Sequence, residues 1–278
     1  MMKSRVVLYC ALGGLPMLIA AMGAGHFAWW WISGVVLAAS FVPVALVGPR
    51  SALGQFSVIA PALAIITVLC TWSEALIFAA GFKEQAVRNL IGALVMYFIV
   101  AAVLAVLAWG LKLPKATAGI VEHRSVASTI ALVSVCGIAY LGYYFIFGSI
   151  TYQYFTKGYY PEAVQTAQAM GIWFWVIEFG RGVLMTLAVV PAIYTLRLSR
   201  WQTAIAIGVL IWVAGGLAPL LVPNALMGST QRIIHVFEIL TQNAPLGVTA
   251  GLLLRPKPTA ASAPESHEAL GHASSSGV

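Results

Sequence analysis

The sequence predicts an all-α integral membrane protein, a bundle of about eight transmembrane helices. Composition is the first reason: 61% of the 278 residues are hydrophobic and 8% are charged, whereas a soluble domain carries roughly a quarter charged residues. The second reason is that the apolar residues form runs of about twenty, the length that crosses a bilayer. The third is that Lys and Arg collect in alternate gaps between these runs, as they do in membrane proteins.

Each span is placed on an apolar run and on the charged or turn-forming residues that interrupt it. The first run follows Lys3 and Arg5, and its small residues at 22–24 form a poor signal-peptide cleavage site, so it is retained as a helix. Trp residues open the second and sixth runs, charged gaps separate the third, fourth and fifth, and Pro223 ends the seventh. The predicted spans are residues 6–22, 27–47, 56–80, 90–111, 126–148, 170–194, 203–222 and 233–254.

These spans form one predicted domain, the transmembrane helical bundle of residues 1–254. After Leu254 the sequence becomes rich in Pro, Ala and Ser, and such a segment cannot bury enough apolar surface to fold. Residues 255–278 are therefore predicted to form a disordered cytoplasmic tail.

The distribution of basic residues predicts the orientation, because cytoplasmic loops carry the excess of Lys and Arg. One side has Lys3, Arg5, Arg50, Lys112, Lys115, Arg124, Arg197, Arg200, Arg255 and Lys257, and the other has Lys83, Arg88, Lys157 and Arg232. Both termini are therefore expected in the cytoplasm, and the expected location is the bacterial cytoplasmic (inner) membrane. The net charge of +7 follows from this topology and does not indicate nucleic-acid binding.

A weak internal repeat relates the first half of the chain to the second. Pro43, Arg50 and Gln55 recur in the same order as Pro191, Arg197 and Gln202. With about four spans in each half, the two copies would have the same orientation in the membrane. This 4+4 arrangement is a parallel repeat of the kind that some transporters have.

Several ionisable side chains lie inside predicted spans, although each costs on the order of 2.5 to 3.5 kcal/mol near the bilayer centre. Glu74 lies in the third span, Glu178 and Arg181 lie in the sixth, and Glu238 lies in the eighth, with His235 one turn above it. Groups that carry such a cost are normally paired, hydrated or functional.

The depth of these residues predicts that they belong to one site. Each carboxylate lies about 9 Å below the outer end of its span at 1.5 Å per residue, so all fall at one level of the outer leaflet. At about 100° per residue, the polar residues of the eighth span share one helix face. We therefore predict an outward-facing polar recess lined by Glu74, Glu178, Arg181, His235, Glu238, Gln242 and Asn243.

Three interpretations of this cluster are open. Arg181 follows Glu178 by three residues, so the two share a helix face and can form a structural ion pair. In the second interpretation, the acids outnumber Arg181, and the excess carboxylates take up and release protons as a proton-coupled transporter requires. In the third, His235 and Glu238 contribute to an intramembrane enzyme or metal site.

The leading functional hypothesis is a proton-linked transporter or carrier of a small solute or ion, in which Glu178 and Glu238 carry protons and Arg181 holds an anionic group. The alternatives are an intramembrane enzyme or metal-binding protein that acts on a lipid-linked substrate, and a non-catalytic assembly or sensing subunit. No catalytic residue, metal or cofactor is assigned, because HExxH, GxSxG and P-loop patterns are absent. The expected partners are the lipid bilayer and an unknown small solute or ion, without nucleic acid, and a homo-oligomer is compatible with the sequence.

Overall fold

The computed structural model describes residues 2–78, 86–114, 124–224 and 227–256, and every regular element in these ranges is a helix. The predicted tail from residue 257 onwards lies outside the described residues. We number the main helices in chain order: α1 is Met2–Ala24, α2 is Phe27–Ser40 with its continuation Val42–Val47, α3 is Ala52–Phe78, α4 is Ala86–Gly110, α5 is Val126–Thr156, α6 is Ile172–Thr195, α7 is Arg200–Leu221 and α8 is Ser229–Leu254.

Six of these helices, α1 and α3 to α7, are long and apolar enough to cross a membrane. The first part of α2 is apolar but has 14 residues, and α8 has 26 residues but carries charged and amide side chains. The chain is therefore a polytopic membrane protein, as the sequence predicts, and a lipid bilayer is the environment that its apolar helices require.

The six helices begin and end within a few residues of the predicted spans, with one exception. Helix α5 continues beyond its predicted end at residue 148, through a π-helical turn over Tyr152–Thr156. A short helix, Ala163–Met170, follows before α6 begins. The segment between the fifth and sixth predicted spans is therefore largely helical.

Glycine allows α7 and α8 to approach closely, as small residues do between membrane helices. A Cβ atom added at Gly247 would lie 2.6 Å from the Cα of Gly208, and one added at Gly251 would lie 2.5 Å from the Cα of Ala204. Because the neighbouring atoms belong to the backbone, a larger residue could be accommodated only by separating the helices. Gly247 and Gly251 thus lie on the face of α8 that packs against α7.

Arginine side chains cap the carboxyl ends of several helices at one end of the bundle. Arg5 donates a hydrogen bond to the carbonyl of Leu111, directly after α4, and Arg124 donates one to the carbonyl of Leu254 at the end of α8. Arg200 also binds a carbonyl in the last turn of α8. These contacts satisfy carbonyl groups that have no partner within their helix, and they place positive charge at the negative end of the helix dipole.

Two π-helical segments meet in the centre of the bundle, Leu63–Cys70 in α3 and Val213–Leu217 in α7. Such segments widen a helix locally and change the face that the following residues present. In α3 the widened segment comes directly before the turn that carries Glu74. In α7 it includes Gly215, where an added Cβ would lie 2.7 Å from the amide nitrogen of Asn243 in α8.

The packing pattern is the same in the two halves of the chain. The contacts α1–α2, α3–α4 and α1–α4 in the first half correspond to α5–α6, α7–α8 and α5–α8 in the second, and α2 contacts α7 as α6 contacts α3. Close approaches correspond too, because Gly14 of α1 lies against Val35 of α2, and Gly137 of α5 lies against Val183 of α6.

Candidate functional site

A cavity of about 1010 Å³ lies at the end of the bundle opposite the arginine-capped end. Its walls come from the carboxyl-terminal part of α3, the second half of α5, the first turn of α6, the second and third turns of α8, part of α7, and the short helix Ala163–Met170. Its volume is at the upper end of the range of about 300 to 1,000 Å³ that is usual for small-molecule pockets. The helix ends that carry the predicted site residues therefore enclose a space large enough for a small organic molecule.

Ionisable groups from two separate helices line this cavity. Glu74 comes from α3, and His235 and Glu238 come from α8. The side chain of Glu74 is 35% exposed, whereas those of His235 and Glu238 are each 17% exposed. Glu74 and Glu238 therefore face one space, although the chain separates them by most of its length.

Arg181 lies beneath the cavity and joins α3 to α6. Its guanidinium donates to both carboxylate oxygens of Glu178, at 3.0 and 2.8 Å, and to Oε2 of Glu74 at 2.8 Å. The rings of Tyr140 and Tyr144 each lie 6.0 Å from the guanidinium carbon, within the range of cation–π attraction. Glu178 is fully buried, at 0% exposure, so its charge depends on Arg181 for stabilisation.

The α8 pair, His235 and Glu238, forms a second polar group at the cavity wall. Nδ1 of His235 lies 2.7 Å from Oε2 of Glu238, and the two attract each other by charge when the imidazole is protonated. The Gln242 amide donates to the other carboxylate oxygen at 3.4 Å. The ring of Tyr160, from the connection between α5 and α6, lies 5.6 Å from the imidazole.

Two polar atoms around this group, the hydroxyl of Tyr160 and Nε2 of His235, are buried and have no hydrogen-bond partner among the described residues. Burial, reinforced by the negative charges of Glu238 and Glu74, raises the pKa of Tyr160, so its hydroxyl stays protonated and can donate. Unsatisfied buried polar groups are uncommon in proteins, so these two atoms are available to bond water or another molecule in the cavity.

The seven predicted site residues divide into three groups. Glu74, His235 and Glu238 line the cavity, and Glu178 and Arg181 form the ion pair beneath it. Gln242 and Asn243 are buried, at 4% and 5% exposure. Gln242 donates a hydrogen bond to Glu238, and Asn243 packs against the π-helical segment of α7.

The aromatic walls of the cavity were not predicted. Tyr144 comes from α5, Tyr160 from the connection, and Phe174 and Trp175 from the first turn of α6. Aromatic residues at the ends of membrane spans are typical anchors in the headgroup region, so their presence in the sequence does not by itself assign them to a site. Phe174 precedes Glu178 by one helical turn, and this spacing is the signal that could have identified it.

A smaller recess of about 500 Å³ lies between α1, α2 and α7 and is lined by His26, Trp30, Pro219 and Val222, among others. It holds no carboxylate among its described lining residues. Within the described parts of the chain, no three His, Cys, Asp or Glu side chains come together as a metal site would require.

The chain was also compared with known proteins. No protein-family model, curated protein or solved structure matches it. A functional assignment therefore rests on the cavity, the side chains that line it and the way the helices pack around it.

Proposed function

We propose that this protein is a proton-linked transporter of a small solute. The observation that carries the proposal is that Glu74 and Glu238, from different helices, face one cavity together with His235. Acidic and imidazole side chains within membrane helices typically mark solute pathways and proton relays. The cavity is also large enough for an organic solute, so solute binding and proton exchange can take place in the same site.

The balance of charges supports proton exchange. Arg181 is the guanidinium that contacts both Glu178 and Glu74, whereas Glu238 contacts an imidazole and an amide. Glu178, buried and held through both oxygens, serves to fix Arg181 and hence the position of Glu74. Glu238 is the group that we assign to proton transfer, and His235 can exchange a proton with it at 2.7 Å.

The proposed topology is about eight spans with both termini in the cytoplasm of a bacterium. The described arginines Arg5, Arg124, Arg200 and Arg255 all bind helix carbonyls at one end of the bundle. Basic residues concentrate on the cytoplasmic side of membrane proteins, so the arginine-capped end is assigned to that side. The cavity then opens on the external side, as the predicted recess does.

A parallel repeat of two four-helix halves is the proposed architecture. The matching helix contacts, the matching glycine positions and the matching arginine caps of Leu111 and Leu254 support it. A further correspondence is that Gly34 of α2 lies against Met17, while Gly182 of α6 lies against Tyr140. Transporters built from repeats place the solute between them and move one repeat against the other.

The smaller recess is the proposed counterpart of the cavity in the first half of the chain. It is formed by α1, α2 and α7, whereas the cavity uses the corresponding helices α5, α6 and α3. The two π-helical segments contact each other, and Gly215 of the segment in α7 lines the cavity. Segments of this kind often occur at functional sites, and here they would let α3 and α7 change shape as solute passes.

Flux in proteoliposomes tests the proposal. A pH-sensitive dye inside the vesicles reports proton movement when organic cations, amino acids or organic anions are added outside under an imposed pH gradient. We expect one class to drive proton movement with the wild-type protein, and Glu238→Gln to reduce that movement to the level of protein-free vesicles. Glu162→Gln is the matched control, because Glu162 is an exposed carboxylate in the connection between α5 and α6. Full pH-dependent flux through Glu238→Gln would remove Glu238 from the mechanism.

A further inference from the structure

We propose that the solute is an organic cation with an apolar, aromatic-sized body, held with its charge near Glu74 and Glu238 and its body against Phe174 and Trp175. This inference rests on the proposed transport function and names the chemical class of solute for the same cavity. The inference follows from the fact that carboxylates and aromatic rings line the same cavity of about 1010 Å³.

The charge of the site favours a cation. Among the described residues that line the cavity there is no Lys or Arg, while two carboxylates are present. Arg181, below the floor, is already bound by both Glu178 and Glu74. Arg232, further towards the start of α8, donates to the carbonyl of Met227. An anionic solute would therefore meet negative charge in a region of low dielectric, where repulsion is strong.

The walls favour an apolar body. Phe174 and Trp175 pack edge to face with ring centroids 5.4 Å apart, and Trp175 also lies against Phe145 at 5.9 Å. Tyr144 lies 6.0 Å from Phe174, so the rings form a continuous aromatic surface. Aromatic faces attract cations, and an organic cation can use both this attraction and the burial of its apolar groups.

A small inorganic cation fits the cavity less well, because it needs a close shell of oxygen ligands and the space of about 1010 Å³ is far larger than such a shell. Polar side chains also line the cavity, namely Thr71, Ser149, Gln153, Thr156 and Gln168, and they can bind polar groups of the solute beside its charge. An organic cation can place its charge near the carboxylates and its apolar body against the aromatic rings at the same time.

Cation binding also explains the coupling to protons. A protonated Glu238 is neutral and attracts a cation weakly, so the arriving cation favours release of one proton from the carboxyl group. His235, Tyr160, Glu74 and Gln242 are the polar groups that surround this carboxylate, and none of them is a permanent cation. Exchange of one proton for one organic cation therefore conserves charge in the site.

Calorimetric titration of the purified protein in detergent tests the inference, with tetraphenylphosphonium as the probe. Tetraphenylborate has the same shape and the opposite charge, so it is the matched negative ligand. We expect the wild-type protein to bind tetraphenylphosphonium and not tetraphenylborate. Glu238→Gln and Glu74→Gln should each weaken binding about tenfold, as loss of one favourable charge interaction of ~1.4 kcal/mol would do.

Control variants separate the site from general effects on folding. Trp175→Leu should weaken binding, whereas Trp173→Leu should not, because Trp173 is 66% exposed and does not line the cavity. Glu162→Gln should bind as the wild type does. Each variant is first shown to elute as a single species and to unfold in one cooperative transition.

The outcomes distinguish this inference from the transport proposal. Equal binding of both probes, or unchanged binding by Glu238→Gln and Trp175→Leu, would overturn the cation inference. Specific binding without any flux in proteoliposomes would support the cation site and contradict transport. Proton-coupled flux of an anion or amino acid, without binding of tetraphenylphosphonium, would contradict the cation site and leave the transport proposal in place.

Discussion

Replacing Arg181 with Met is expected to destabilise the protein by about 3–5 kcal/mol, the usual cost of removing one partner from a buried ion pair. The reason is that Glu178, at 0% exposure, would lose both of its guanidinium hydrogen bonds, at 3.0 and 2.8 Å, and would remain as an unpaired buried charge. The measurement is the unfolding midpoint in detergent micelles, followed by tryptophan fluorescence during heating or denaturant titration.

The double variant Arg181→Met with Glu178→Met is the control for this prediction. It removes both buried charges and replaces them by apolar groups, so most of the lost stability should return. Glu74→Gln should have a smaller effect, because the Glu74 side chain is partly exposed to the cavity. An unchanged midpoint for Arg181→Met would show that Glu178 does not depend on this pair.

The second large effect is expected at the contact between α7 and α8. Gly251→Leu would place a Cβ 2.5 Å from the Cα of Ala204, so the two helices must separate. We expect a loss of at least the ~1 to 3 kcal/mol that is typical of overpacking, since backbone cannot rearrange as a side chain can. Displacing α8 also moves His235 and Glu238 away from the other walls of the cavity, so tetraphenylphosphonium binding should fall together with the unfolding midpoint.

Gly180→Leu in α6 is the matched control, because a Cβ added there has no atom within 4 Å. Both substitutions place the same side chain in a membrane helix, so differences in helix propensity and hydrophobicity cancel. An unfolding midpoint of Gly251→Leu equal to that of Gly180→Leu would contradict the close contact between α7 and α8.

The sequence predicts most helices well because apolar runs and charged gaps report directly on the bilayer. The prediction is less successful at the end of α5, because the helix continues to Thr156 whereas the predicted span ends at residue 148. Tyr152, Tyr154 and Phe155 suit both an interfacial loop and a helix that leaves the membrane, so composition alone cannot separate the two.

In the site, contacts within one helix could be predicted from the sequence, whereas contacts between helices could not. The Glu178–Arg181 and His235–Glu238 pairs follow from a three-residue spacing on one helix, which a sequence contains. Equal depth in the membrane predicts that Glu74 lies at the level of these pairs. It does not predict that Arg181 reaches Glu74, or that Glu178 lies below the cavity, because rotation of α3 and α6 about their axes depends on packing and on the π-helical segment.

Accessibility of substituted cysteines tests the central claim most directly, namely that Glu74 and Glu238 face one external cavity and Glu178 does not. In a protein whose native Cys10, Cys70 and Cys136 are replaced by Ala, Glu74→Cys, Glu238→Cys and Glu178→Cys are each treated with a membrane-impermeant cationic thiol reagent from the outside. We predict labelling of the first two variants and no labelling of the third. Labelling of Glu178→Cys, with Glu74→Cys or Glu238→Cys left unmodified, would contradict the account.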